Sequence, residues 1–346
     1  MTAKERVRAA LVGTPTDRLP VLVPGGMMCA ATEELLALAG LSWEAVNREP
    51  QAMASFALTI QGALGLDNVG VPFCMTVEAE ALGSEVALGS PLRPPRIERE
   101  AHADLPTDEL SARDGRQQVC AEALRLLAQE APDMAVVGNV VGPVSVAAMV
   151  VEPGRFWRAL RRQPEAADDF LGRVSDFLTA FAEEQVGAGA DVVVISEPSG
   201  TGQILGPVDF GRFVLPHLNR ICLAVRKRGA KAVIHICGQI RAVAEAVARL
   251  QADALSVDAV ADVGSIREAG CRLPLMGNVS TFLLQDGPVE DIRRAVDTVR
   301  EQGFAIVAPA CGVSGATPLG HLRALVEAAR VAGPTSTSSA HVPERR

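Results

Sequence analysis

Short apolar runs alternate with longer amphipathic segments along most of the chain from about residue 115 onward. Runs rich in Val, Ile and Ala are typical of strands that are buried on both faces of a parallel sheet, and the amphipathic segments between them predict helices that cover such a sheet. The predicted strands are 134–140, 191–196, 231–237, 254–258, 273–278 and 304–310. The predicted helices are 115–130, 152–188, 207–228, 239–250, a short one after 258, 288–302 and 317–331.

The first third of the chain is less regular. Thr2 and Glu5 have the spacing of a capping box and predict an N-terminal helix. Residues 19–23 predict a first strand that ends at Pro24-Gly25-Gly26, and helices are predicted at 30–40 and 50–64. Residues 84–114 are polar and Pro-rich, which predicts an irregular excursion.

The repeated strand–helix pattern carries no phosphate-binding glycine fingerprint. It therefore favours a closed (β/α)8 TIM-type barrel, preceded by a helical extension, over an open α/β sheet. We expect residues 1–331 to form this barrel as a single domain. Residues 332–346 are rich in Ser, Thr and Pro, and we expect a disordered polar tail.

Composition excludes several classes of partner. The formal charge of −8 argues against binding to nucleic acid or to an anionic membrane, and aromatic residues make up only 3% with no Tyr. Residues 134–151 are uncharged over a length that could cross a membrane, but Gly138, Asn139, Gly142 and Pro143 interrupt them. A buried strand, a turn and a helix start explain that stretch better.

Seven cysteines, an odd and sparsely spaced set, do not indicate a disulfide framework. Charges throughout residues 1–20 argue against a secretory segment. We therefore expect a cytoplasmic protein whose cysteines are thiols.

The carboxyl ends of the predicted strands carry the candidate chemistry, because that end of a barrel holds functional groups. His235 and Cys237 are two residues apart on one strand and share a face, and Cys311 follows another strand. Two sulfurs and one imidazole with a vacant fourth position are the ligand set of a catalytic zinc site. The competing interpretation is that these cysteines fill the core and that His235 is a buried, hydrogen-bonded residue.

Two acids also end strands. Glu197 is a candidate fourth zinc ligand or proton acceptor, and otherwise a helix cap or a solvated loop acid. Asp258 is a candidate acceptor that orients the ring of His235, and otherwise a cap of the next helix.

Several blocks resemble the uroporphyrinogen decarboxylase superfamily, and within it the zinc-dependent methylcobamide:coenzyme M methyltransferases. The resemblance spans about residues 3–331. It is carried by ERVRAALVGTPTDRLPV (5–21), VPFCMTVEAEALGSEV (71–86), GADVVVISEPSGTGQILGP (189–207), IHICGQ (234–239), GNVSTFLLQDGP (277–288) and APACGVSGATPLGHLRALVEA (308–328). The H-x-C and the later C-G are the zinc motif of the family, so the resemblance implies Zn²⁺ on His235, Cys237 and Cys311.

The resemblance implies transfer of a methyl group from a methylated corrinoid (methylcobalamin), carried on a separate corrinoid protein, to a thiol such as coenzyme M. Homocysteine and tetrahydrofolate are also possible acceptors. Two different functions stay open: decarboxylation of a porphyrin-like acid, and corrinoid binding without catalysis. The arginine-rich substrate motif of the decarboxylases is missing after Pro20, and Cys74 stands where the methyltransferase branch usually has Asp.

The corrin ring needs a broad apolar rim around the barrel mouth. Gly25, Met27 and Met28 are candidates for that rim, and otherwise they are ordinary packing residues. Asn278 is a candidate for orienting the acceptor by hydrogen bonds.

Overall fold

A computed structural model describes residues 1–110, 112 and 115–331. Among these residues, a curled sheet of parallel strands has the order β1-β4-β5-β6-β7-β8-β9, and β2 and β3 form a separate antiparallel hairpin. The strands are β1 (Asn68–Gly70), β2 (Glu85–Ala87), β3 (Arg96–Arg99), β4 (Ala135–Val141), β5 (Val192–Ser196), β6 (Lys231–Ile236), β7 (Ala254–Val257), β8 (Leu275–Val279) and β9 (Ile306–Pro309).

Helices follow nearly every strand of the curled sheet, and most of them cover its outer face. They are α1 (Ala3–Leu11), α2 (Glu33–Ala39), α3 (Trp43–Arg48), α4 (Pro50–Leu64), α5 (Val77–Ala81), α6 (Arg116–Glu130), α7 (Pro143–Val150), α8 (Pro153–Arg162), α9 (Pro164–Gly187), α10 (Gly206–Asp209), α11 (Leu215–Lys227), α12 (Ala244–Val247), α13 (Val263–Glu268), α14 (Thr281–Asp286), α15 (Val289–Glu301) and α16 (Leu319–Arg330). A π-helical turn (Phe210–Val214) precedes α11, and a 3₁₀ turn (Arg241–Val243) precedes α12.

The segment around Val21 closes the sheet into a barrel. The Leu22 N–H donates to the Val307 carbonyl of β9, and the Val307 N–H donates to the Pro20 carbonyl. On the other side, the Asn68 side chain of β1 accepts from the Val23 N–H and donates to the Val23 carbonyl, both at 3.0 Å. The predicted TIM-type barrel is confirmed, although residues 19–23 contribute a single bridge rather than a full strand.

The barrel interior is filled by alternate residues of its strands. Val192 and Val194 of β5 belong to an inner cluster, whereas Val193 and Ile195 belong to the outer layer beneath the helices. Helix α1 contributes Val7, Ala10 and Leu11 to the inner cluster, so it packs on the barrel interior. Thr2 and Glu5 form the predicted capping box of this helix.

Several elements differ from the prediction. The single helix expected over 152–188 is divided into α8 and α9, because Pro164 begins the second helix and cannot continue the first. The 84–114 excursion contains the β2–β3 hairpin, and α3 was not anticipated. The polar tail predicted for 332–346 lies outside the described residues.

The uncharged stretch 134–151 divides as expected into β4 and the buried helix α7. A search of the described helices finds none with the length and apolar character needed to cross a bilayer.

Candidate metal centre

Strand β6 directs His235 into the barrel. Val233 lies in the inner cluster and Ile234 in the outer layer, so His235, two residues after Val233, points inward. Cys237 follows at the next position of the same face, immediately after the strand ends. His235 is fully buried and Cys237 is half-buried, which places them inside the barrel mouth.

Cys311 reaches the same point from the end of β9. Its Sγ lies 3.5 Å from Cys237 Sγ, and Cys237 Sγ lies 3.1 Å from His235 Nε2. The three ligand atoms all lie within 4.8 Å of one another. A hydrogen bond from Cys237 lowers the pKa of the Cys311 thiol, and His235 acts in the same direction. Two sulfurs and one imidazole nitrogen are a donor set that suits Zn²⁺.

The turn after Cys311 depends on a glycine. A Cβ at Gly312 would lie 2.6 Å from the Met27 carbonyl oxygen, so only glycine allows the two backbone segments to approach so closely. The Val313 N–H then donates to the Cys29 carbonyl at 3.2 Å. The segment after β9 is thereby held against the segment that contains Met27.

Ser256 orients the imidazole of His235. Its Oγ lies 2.9 Å from His235 Nδ1 and 3.5 Å from Met28 Sδ. For Nε2 to act as a ligand atom beside Cys237, the ring proton must lie on Nδ1, which then donates to the Ser256 hydroxyl oxygen. Sequence reasoning missed Ser256, although its inward position on β7, two residues after Ala254, was a usable signal.

Asp258 does not contact His235, so the expectation that it orients the ring is wrong. Its Oδ2 accepts from the Gly238 N–H at 3.0 Å and its Oδ1 from the Val260 N–H. Asp258 thus fixes the turn that follows Cys237. Asn278, half-buried on β8, donates to the Asp258 carbonyl at 3.1 Å.

Glu197 is fully buried at the N-terminus of α7. It accepts hydrogen bonds from the backbone of Val144, Ser145 and Gly200 and from the Ser145 hydroxyl. Burial raises its pKa to about 7. These contacts make Glu197 a helix cap, and it is not part of the three-ligand cluster.

Of the three residues expected at the rim, one lines a cavity and two are buried by packing. Met27 lines a cavity of about 690 Å³, and its Sδ lies 3.7 Å from Cys237 Sγ. Met28 is fully buried, and Gly25 packs against Asn139, where a Cβ would lie 2.9 Å from the amide nitrogen. The expectation of a rim position is therefore wrong for Met28 and Gly25, which are packing residues.

The cavity beside Met27 is largely apolar. Its wall includes Trp43, Phe73 and Met149, and the strongly exposed Phe282 stands at its edge. Such a wall suits a large apolar group.

Cys74 lines the same cavity and is backed by a buried arginine. The Arg116 Nη1 donates to Cys74 Sγ at 3.1 Å, its Nη2 donates to Thr76 Oγ1, and its Nε pairs with Glu80. Sequence reasoning missed Arg116, and no motif marked it.

This chain matches a known protein family and is similar to known proteins in sequence and in structure. The uroporphyrinogen decarboxylase family profile matches residues 2–331. The chain is 30% identical to the methylcobamide:CoM methyltransferase MtaA of Methanosarcina barkeri, over 94% of this chain and 97% of the relative. It is similar to a solved methyltransferase from Methanosarcina mazei, with a TM-score of 0.86, 31% identity and coverage of 95% and 98%. It is 34% identical to the uroporphyrinogen decarboxylase of Anaeromyxobacter dehalogenans, over 57% of this chain and 58% of the relative.

Proposed function

Because this chain belongs to the uroporphyrinogen decarboxylase family, we propose that it is a zinc-dependent methyltransferase that moves a methyl group from a protein-bound methylated corrinoid to a small thiol such as coenzyme M. The convergence of His235, Cys237 and Cys311 within 4.8 Å carries this proposal. The likeness to MtaA, a methylcobamide:CoM methyltransferase, over nearly the whole length of both chains supports the same reaction class.

His235, Cys237 and Cys311 would hold the metal. Bound there, zinc would keep a thiol acceptor deprotonated at neutral pH, where a free thiol with a pKa of about 8.5 is mostly protonated. Ser256 fixes the ring of His235, and Asp258 fixes the turn after Cys237. The chain thus supplies a preorganised ligand set with its orienting partners already in place.

We expect the donor to occupy the cavity beside Met27, whose lining includes Gly312, the residue after Cys311. In the reaction, the acceptor sulfur attacks the methyl carbon, the carbon–cobalt bond breaks, and its electron pair stays on the corrinoid. The apolar walls keep water away from the developing charges. Met27 lines this cavity and its Sδ lies 3.7 Å from Cys237 Sγ, so we expect Met27 to contact the donor.

A methylcobalamin demethylation assay with metal analysis of the same sample tests the proposal. The acceptor panel contains coenzyme M, homocysteine, other thiols and tetrahydrofolate. We expect about one zinc per chain and turnover with a thiol. Preferred turnover with tetrahydrofolate would identify tetrahydrofolate rather than a thiol as the acceptor. Decarboxylation of a porphyrin-like acid without metal would show that the chain is a decarboxylase and not a methyltransferase.

Single substitutions test the ligand set. Cys237→Ala and Cys311→Ala should lose both zinc and turnover. Cys222→Ala is the matched control, because Cys222 is equally a thiol but is buried in α11. Retained methylcobalamin-dependent thiol methylation in either ligand variant would refute the assignment.

A further inference from the structure

Helix α8 concentrates positive charge in an acidic chain. Its sequence, PGRFWRALRR, contains four arginines and no acid, whereas the whole chain has a formal charge of −8. Arg155 pairs with Asp104. Within the part of the chain that the structure describes, Arg158, Arg161 and Arg162 are exposed and have no ion-pair partner. Arg161 and Arg162 lie in the last turn, where they also favour the helix dipole, but Arg158 does not.

These three arginines line a groove of about 540 Å³. Trp157, Leu160, Ile204 and Leu205 form its apolar part, and one acidic residue, Asp209, also lines it. Trp157 packs on the buried Phe156, with ring centroids 5.1 Å apart, so its position is fixed. Arginine and tryptophan beside exposed aliphatic side chains are the composition of protein–protein interfaces. The arginines are exposed rather than buried, which suits a protein surface better than a small anion.

The groove lies at the same end of the barrel as the three ligands. Helix α8 follows β4 through α7, and Ile204 and Leu205 follow β5. The segment that carries them also reaches the turn after Cys237, because Gln203 Oε1 would lie 2.8 Å from a Cβ on Gly238. One segment therefore contacts both the groove and the turn after Cys237.

We propose that the α8 groove binds an acidic face of the protein that carries the methylated corrinoid. This rests on the proposed function, which requires that carrier to approach the barrel mouth. An acidic carrier would be repelled by most of this chain, and a local positive patch would attract it and set its orientation. We therefore expect the donor protein to dock at the α8 groove through a negatively charged face.

Two triple variants test the groove. The first is Arg158→Glu, Arg161→Glu and Arg162→Glu. The control is Arg8→Glu, Lys227→Glu and Arg272→Glu, which changes the charge equally. These control residues are exposed and lie in α1, at the end of α11 before β6, and shortly before β8, toward the amino ends of the strands.

The first measurement is binding of a poly-L-glutamate peptide, followed by tryptophan fluorescence because Trp157 lines the groove. We expect the groove variant to bind at least about tenfold more weakly than the control, with the difference shrinking at high salt. Equal binding by both variants would overturn the proposal. Binding of inorganic phosphate in place of the peptide would also overturn it, in favour of a small-anion site.

The second measurement compares free methylcobalamin with methylcobalamin bound to a purified corrinoid protein. With the free donor, all three proteins should have the same turnover. With the protein-bound donor, the KM of the groove variant should rise at least about tenfold while the control is unchanged. An equal loss with the free donor would place the effect in the reaction site and overturn docking. Absence of turnover by the unaltered chain with free methylcobalamin instead refutes the proposed function.

Discussion

His235 Nδ1 lies 2.9 Å from Ser256 Oγ, and this contact between neighbouring strands sets the direction in which the imidazole presents its other nitrogen. Ser256 is fully buried on β7, and its hydroxyl is also directed at Met28 Sδ. The ring can therefore neither rotate freely nor exchange its hydrogen-bond partner for water. A histidine that is held in this way is preorganised to bind a metal.

Ser256→Ala should weaken zinc binding by about 10- to 100-fold, because Nδ1 would lose its acceptor and the ring its fixed orientation. Competition with a chelator measures the affinity. Ser175→Ala is a close control, because Ser175 Oγ also contacts a histidine ring, that of His217, at 2.9 Å. Unchanged zinc affinity in Ser256→Ala would show that the contact does not orient the ligand.

The buried carboxyl group of Glu78 should make the stability of the fold depend on pH. It is 2% exposed, its Oε1 accepts from the Val141 N–H at 2.8 Å, and burial raises its pKa from 4.5 to about 7. The pKa of Glu78 is higher in the folded protein than in the unfolded chain. The contribution of Glu78 to the free energy of unfolding is therefore fully present below pH 4.5 and is lost as the pH rises through about 7. This difference between the two pKa values corresponds to about 3 kcal/mol in the free energy of unfolding.

Glu78→Gln should remove the part of the pH dependence that comes from Glu78, because the amide oxygen can still accept from Val141 and carries no charge. The buried Glu197, whose pKa is also raised to about 7, keeps its own part. Urea unfolding at several pH values between about 4 and about 8 measures the free energy of unfolding of both proteins. Glu130→Gln, at an exposed position, is the control. The idea fails if the wild type and Glu78→Gln show parallel pH curves.

Because Asn68 helps to close the barrel, we expect Asn68→Ala to lower the free energy of unfolding strongly. The Asn68 amide replaces two backbone hydrogen bonds to Val23, and the residue is 1% exposed. Its removal should lower the free energy of unfolding by about 2–4 kcal/mol, since two buried backbone groups would lose their partners. Asn219→Ala offers a comparison, because Asn219 also bridges two backbone groups but is only half-buried. Similar losses in both variants would contradict this role in closure.

The contact between Arg116 and Cys74 makes Cys74 more than a space-filling residue. Cys74→Ala should lower the melting temperature more than Cys222→Ala, because it removes an acceptor from a buried guanidinium. Cys74→Asp should restore the loss, since a carboxylate can accept from both Arg116 and Thr76. Calorimetry of the three variants checks this order, and equal melting temperatures for the two alanine variants would refute it.

Local pattern alone predicted much of the barrel. The alternation of buried strands with amphipathic helices indicated the closed sheet, and the spacing of two residues placed His235 and Cys237 on one face, because side chains alternate along a strand. The residue types and their family resemblance indicated the metal. These properties depend on neighbours in sequence, so they can be read from the chain directly.

Contacts between distant segments were decided by the tertiary structure. Cys311 meets Cys237 because β9 and β6 belong to one closed barrel and Gly312 lets the chain turn against Met27. The partner of His235 is Ser256 rather than Asp258, because the register of β6 with β7 sets His235 opposite Ser256. Glu197 faces α7, and Met28 faces the interior. Spacing along the chain contains no information on strand register or helix placement, and these decide which side chains meet.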